Sequence, residues 1–168
     1  MHAMTKEALE KAFAGESMAH MKYLAFAAVA EKEGKPNIAR LFRAISYAEQ
    51  VHAHNHAREL GYIGGTADNL VSAKAGEDFE ISEMYPVYNN MAEFQKEKGA
   101  VRTTHYALEA EKIHSKMYGN AHKLAAQDQD ITIGLIGICP VCGHTVEGDV
   151  PEKCPVCGTA GKKYVLFN

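Results

Sequence analysis

Glu49-Gln-Val-His52 and Glu111-Lys-Ile-His114 stand 62 residues apart, each inside a long helical pattern. The i, i+3 spacing within each pair points a carboxylate and an imidazole off one face of a helix. Turned inward, such a pair cannot sit in an ordinary apolar core, because a buried charge is costly unless it is paired or coordinates a metal. Glu16 lies on the apolar stripe of an earlier helix, and the Glu80/Glu83 pair on a third. Two E-x-x-H helices, with carboxylates from two others, make the ligand set of a helical bundle that holds a pair of iron or manganese ions.

The periodicity agrees. From Thr5 to about Glu33 the residues Leu9, Phe13, Tyr23, Leu24 and Ala27 recur at helical spacing, and Gly34-Lys35-Pro36 supplies stop signals. Ile38, Leu41, Phe42 and Ile45 open a second helix, whose stripe runs through Glu49, His52 and His56 to Leu60. Residues 66–78, richer in small and polar side chains, read as a loop crossing the end of the bundle. Pro86, three residues after Glu83, makes the third helix start near Ser82 or kink. Val87, Asn90, Met91 and Phe94 continue it to a break near Gly99, and Val101 to about Ala126 form the fourth helix, with Glu111, His114 and Tyr118 inward.

From Ile131 the texture becomes β-branched and Gly-punctuated, which suits a short strand over 131–138. The domain boundary is expected near 127–130, giving a bundle over 1–128 and a small module over 131–168. That module contains all four cysteines, in Cys139-Pro-Val-Cys142-Gly and Cys154-Pro-Val-Cys157-Gly, with eleven residues between the knuckles. Two such loops bring four thiolates to tetrahedral positions around iron or zinc, and the knuckles alone do not choose between the two. Roughly 35 residues cannot bury an adequate core, so metal ligation must supply much of the folding energy.

Composition excludes several classes. The formal charge of −3, without clustered Lys or Arg, argues against nucleic-acid binding. No apolar run approaches the roughly 20 residues of a membrane span, and the N-terminus lacks a signal peptide's apolar segment. Cysteines confined to two C-x-x-C knuckles suit ligation in a reducing compartment, so a soluble cytoplasmic protein is expected.

Glu16-Ser17-Met18-Ala19, Glu49-Gln-Val-His52, Glu80-Ile-Ser-Glu83-Met-Tyr-Pro, Glu111-Lys-Ile-His114 and the Cys-Pro-Val-Cys-Gly knuckles occur in the order seen in rubrerythrins, and the resemblance spans essentially the whole chain. It implies a mainly α fold: a ferritin-like four-helix bundle followed by a rubredoxin-like, metal-stapled β module. It also implies a non-haem di-iron centre and one iron in the four-cysteine site, held by Cys139, Cys142, Cys154 and Cys157. The implied activity is reduction of hydrogen peroxide in oxidative-stress defence, with electrons from a rubredoxin or an NAD(P)H-dependent reductase. By the same resemblance Glu49 and Glu111 bridge the metals, and Glu16 and Glu80 each hold one. His114 ligates the metal near Glu80, while Glu83 and His52 exchange on the other. Tyr23 and Tyr88 resemble tyrosines near the metals. A homodimer, head to tail and possibly helix-swapped, is implied as well.

The residues permit the exchange independently, because five glutamates and two histidines are one carboxylate more than a four-Glu, two-His site requires. Two ferrous ions among them leave a net charge near −1. A hard-oxygen shell with only two imidazoles suits iron or manganese better than copper. Any one of these residues alone is more simply a satisfied core polar group, and Tyr23 and Tyr88 serve equally well as aromatic core. His20, His54, His56, His105 and His122 have no E-x-x-H partner, although His56 lies one turn beyond His52. Two rival functions use the same features. A ferroxidase or iron-handling protein would need the carboxylates but not the thiolate module, and a zinc-ribbon binding module would have a merely structural bundle.

Overall fold

The computed structural model describes residues 1–168, and the chain divides into two compact units, Met1–Gly64 and Gly65–Asn168. In the first, α1 (Ala3–Lys32) and α2 (Pro36–Glu59) form a hairpin. The cross-links run antiparallel: Arg43 pairs with Glu31 near the turn, His20 with Ser46 in the middle, and Tyr62 with Glu10 at the open end. The turn is tight because Gly34 takes φ +71. Its N–H then reaches Glu31 O at 3.0 Å, and Lys35 N–H reaches Ala30 O at 2.8 Å, which satisfies the last carbonyls of α1 in a Schellman motif. Pro36 starts α2, where its missing N–H is no loss.

Small side chains let these two helices approach closely. Ala27, Ala30, Ala39, Ala53 and Ala57 are buried between them, and Ser46 is wholly enclosed. Ser46 Oγ donates to His20 O at 2.9 Å and lies 2.9 Å from His20 Nδ1, so the buried hydroxyl is satisfied. Larger apolar residues of the same hairpin remain open to solvent: Met18, Met21, Leu24, Val29, Leu41 and Ile45.

The second unit begins with α3 (Thr66–Phe79), so residues 66–78 are a helix and not the expected crossover loop. Its sequence, TADNLVSAKAGEDF, shows little apolar periodicity. Polar bonds secure it instead: Asp78 accepts from Ser115 Oγ and from Lys74 Nζ, both at 2.5 Å. The helix runs without interruption through a single π-helical turn, Glu80–Met84, into α4 (Tyr85–Phe94). Tyr85 N–H bonds back to Glu80 O, the i to i+5 spacing of a π turn. That wide turn immediately precedes Pro86, which has no N–H to give and would clash in a regular helix interior. The expected kink is thus a π turn, and it lies among the acidic residues.

α5 (Lys98–Ala125) returns along α3 and α4. The break before it falls at Lys96, φ +59, and not at Gly99, which is inside α5. The tail forms β1 (Ile136–Ile138), β2 (Thr145–Glu147) and β3 (Val165–Phe167), antiparallel in the order β2-β1-β3. Regular pairing is confined to three residues of the expected 131–138 strand. The core of this module is Cys139, Cys142, Cys154 and Tyr164, with Tyr106 of α5 packed against it. The stripe Tyr106, Ala110, His114 on α5 underlies the first knuckle: Ala110 is buried, and a Cβ on Gly143 would lie 3.8 Å from its Cβ.

Candidate metal centres

Each unit carries one carboxylate–imidazole cluster, and the two are built alike. In the first, α2 presents Glu49 and His52 with Glu49 Oε2 2.9 Å from His52 Nδ1, and α1 brings Glu16 Oε1 to 3.9 Å from the same nitrogen. In the second, α5 presents Glu111 and His114 with Oε2 2.6 Å from Nδ1, and α3 brings Glu77 Oε1 to 4.0 Å. Within each trio the candidate ligand atoms all lie within 4.8 Å of one another. The i, i+3 spacing therefore does what helical geometry requires, twice, with a carboxylate from the neighbouring helix closing each set.

Electrostatics mark the second cluster as a place for a cation. Burial, reinforced by the charge of Glu111 and a hydrogen bond shared with it, raises the Glu77 carboxyl to about 7. Glu80 is raised too, by burial and then by Glu111, with His114 pulling the other way. Tyr85 is raised by burial first and then by the negative charge of Glu80, Glu111 and Glu77. Two carboxyls and a phenol all pushed toward their neutral forms by burial and by one another's charge mark a cluster of acids with no cation among them. A divalent ion would displace the shared proton and restore the balance.

The structure brings together Glu16, Glu49 and His52 in one trio, and Glu111 and His114 in the other. Glu77 takes the place beside Glu111 and His114 that the sequence suggested for Glu80, which stands close enough to feel both charges. Glu83 projects from the π turn and is exposed. Tyr23 stands in an aromatic trio with Phe26 and Phe42, at ring separations of 6.1 and 6.2 Å, and Tyr88 is 46% exposed. Glu77 and Tyr85 were missed by sequence reasoning. The signal for Glu77 was present in the Glu77, Glu80, Glu83 series at i, i+3 spacing, but treating residues 66–78 as a loop concealed it.

In the tail, the four Sγ atoms lie within 4.8 Å of one another, with Cys139–Cys157 at 3.6 Å and Cys142–Cys154 at 3.5 Å. A tetrahedral ion with bonds of about 2.3 Å needs sulfur separations of about 3.8 Å, whereas a disulfide would need about 2.05 Å. All four cysteines are free. Burial raises the Cys142 thiol. Burial also opposes ionisation of Cys154, but the Tyr164 hydroxyl and the N–H groups of Cys157 and Val156 outweigh it and bring that thiol down to about 6. The loop is therefore set to stabilise thiolate, the form that binds metal.

Paired carboxylate–imidazole clusters on matched helix pairs, joined to a knuckle module with four free cysteines, define a non-haem, di-iron-type metal protein with a rubredoxin-like site. Comparison with known proteins agrees: a family model described as rubrerythrin matches residues 7–122, and one for the rubrerythrin rubredoxin-like domain matches 138–165. Rubrerythrin-2 of Clostridium acetobutylicum is 47% identical, over 99% of this chain and 98% of its own. Nigerythrin of Nitratidesulfovibrio vulgaris is 37% identical, over 91% and 81%. A solved structure of fully reduced, all-ferrous nigerythrin matches with TM-score 0.56 and 31% identity, covering 97% of this chain and 86% of that one. The chain belongs to the rubrerythrin family.

Proposed function

We propose that this protein is a peroxide reductase of the rubrerythrin type. It takes hydrogen peroxide, two electrons and two protons to two waters, in defence against oxidative stress. What supports the reading above all is the doubled cluster, two Glu-x-x-His pairs each closed by a carboxylate, in a chain that also carries four free thiols at metal-binding separation. A storage protein has no use for the thiolate module, and a zinc ribbon has no use for the clusters.

Carboxylate oxygens with one imidazole per trio are donors that suit iron. Glu16, Glu49, His52, Glu111 and His114 would hold the pair, completed from Glu77, Glu80 and Glu83, and Cys139, Cys142, Cys154 and Cys157 would hold a single iron. Iron held by these carboxylates and imidazoles would supply two-electron reducing chemistry toward a peroxide O–O bond, and iron held by the four cysteines would supply one-electron transfer from a rubredoxin or an NAD(P)H-dependent reductase. The chain's own groups do the rest. Glu83 is exposed and the His52 side chain retains 53% exposure, so both have the freedom that ligand exchange needs. The half-buried Tyr85 hydroxyl keeps its proton among the acids and can donate a hydrogen bond into the site. Tyr88, three residues on, and Tyr23 remain candidates for the same role.

The thiolate module rests on α5 of its own chain, so reach alone does not require a head-to-tail pair. A homodimer is favoured instead by the open apolar faces, Leu24, Leu41 and Ile45 in one unit and Val71, Val87 and Met91 in the other. Exchange of one helical hairpin between two copies would cover these faces and unite a trio from each. No helix is long and apolar enough to cross a membrane, and four free cysteines suit a reducing cytoplasm.

Iron-loaded protein supplied with NADH, a rubredoxin and its reductase should consume peroxide and NADH in equimolar amounts. Consumption no faster than with free iron, or ferrous oxidation that accumulates ferric product without turnover, would replace this reading with the iron-handling alternative.

A further inference from the structure

His114 Nε2, the ring nitrogen turned away from the carboxylates, lies 2.7 Å from Thr145 Oγ1. Thr145 opens β2, three residues beyond Cys142, and is only 4% exposed. Its hydroxyl also donates to Gly143 O at 3.1 Å, and Gly143 N–H in turn reaches Cys139 O at 3.0 Å. A hydroxyl has one proton. With that proton on the Gly143 carbonyl, Oγ1 accepts from the imidazole and His114 carries its hydrogen on Nε2, whereas a hydroxyl turned to Nε2 would place that hydrogen on Nδ1, against Glu111. In the first arrangement the Nδ1 lone pair faces Glu111 Oε2 at 2.6 Å, a pairing of two acceptors that a shared proton or a metal ion between them relieves.

We propose that Thr145 is a positioning residue for the metal centre: its hydroxyl, held by the cysteine loop, fixes His114 in the Nε2–H tautomer and aims Nδ1 at the metal. The proposal rests on the metal reading above and adds a coupling to it. Seating of the thiolate module on α5 through Tyr106, Ala110 and Gly143 delivers the hydroxyl to His114. The order of the tail thus decides whether the bundle histidine is ready to ligate. His52 in the first trio bonds Glu49 through Nδ1 and is half exposed, consistent with a fixed ligand at His114 and a freer one at His52.

The test uses the full chain with Thr145→Val, which keeps the shape and removes the hydroxyl, and Thr145→Ser, which keeps the hydroxyl. Cobalt(II) titration reads both sites: thiolate charge-transfer absorption reports the cysteines, and weaker ligand-field bands report the carboxylate–imidazole ligands. The valine variant should bind cobalt at the bundle ligands 10- to 100-fold more weakly, on the scale of lost outer hydrogen bonds to ligating histidines. Thiolate absorption should be unchanged and the serine variant close to wild type. In zinc-loaded protein, 15N spectra of histidine-labelled wild type should show His114 protonated at Nε2. Equal bundle affinity in wild type and the valine variant, equal weakening by serine and valine, or an Nδ1–H His114 would overturn the role of Thr145 while leaving the metal reading intact. Failure of wild type to bind cobalt anywhere but the cysteines would overturn both.

Discussion

Replacing Glu77 by Gln probes the acid cluster without touching the E-x-x-H pairs. The Glu77 carboxyl rises from 4.5 to about 7 in the folded protein, chiefly through burial and the proximity of Glu111. At 1.36 kcal/mol per unit, such a rise corresponds to about 3 kcal/mol. The side chain keeps 17% of its exposure, so a realistic range is about 1–3 kcal/mol. The sign follows from proton binding. Below pH 4.5 both folded and unfolded chains hold the proton, and the favourable contribution is complete. Between 4.5 and 7 the unfolded chain releases it first, so metal-free protein loses stability as pH rises, and above 7 the loss is complete. Glutamine does not titrate and can still donate to Glu111. Glu77→Gln should therefore match or fall slightly below wild type at pH 4.5 and exceed it by about 1–3 kcal/mol at pH 8. In urea this is a relative midpoint shift of order 1 M for a typical slope, followed by far-ultraviolet circular dichroism of chelator-treated, reduced protein. A difference between the two proteins that does not change with pH would refute the shared proton and the placement of Glu77 beside Glu111.

Other perturbations test other parts of the account. Glu49→Ala should abolish peroxide turnover while the visible spectrum of the thiolate-bound iron persists, measured by stopped-flow absorption. Ser46→Ala removes a wholly enclosed hydroxyl that donates to His20 O, while the contact of His20 Nδ1 with the carbonyl of residue 46 remains, so chemical denaturation should register a loss of about 0.5–1.5 kcal/mol. Lys96→Gly should leave the helix count unchanged and raise the melting temperature, because a non-glycine residue at φ +59 carries about 1–2 kcal/mol of strain. Cys154→Ala, by breaking the tetrahedral set, should cost the tail its amide hydrogen-exchange protection while α1 and α2 keep theirs.

Legibility in the sequence followed the strength of local signals. The long helices carrying Glu16, Glu49/His52 and Glu111/His114 combine periodic apolar residues with ligand spacings, so those helices, Glu16 and both E-x-x-H pairs could be read directly. α3 could not. Its small, polar residues give no stripe, and the bonds that hold it, from Lys74 and Ser115 to Asp78, are partly tertiary. Losing α3 meant losing Glu77. Pro86 announced a departure from regular helix, but its form, a π turn closed by the Tyr85 to Glu80 bond, depends on where neighbouring helices pull the backbone. The break at Lys96 escaped because glycine is the usual occupant of that conformation, and Gly99 stood nearby. Thr145 is a common residue whose partner lies 31 positions away, a pairing no local pattern reveals.

In the proposed function, acids and imidazoles from both helical hairpins hold a metal pair served by a third metal on the four thiols. Anomalous diffraction from crystals, collected at the iron and zinc edges, tests it most directly. The account predicts an iron peak among Cys139, Cys142, Cys154 and Cys157, and two more about 3.5–4 Å apart, one at Glu16, Glu49 and His52 and the other at Glu111 and His114. Metal confined to the cysteines, or two bundle ions too far apart to share a carboxylate, would contradict it.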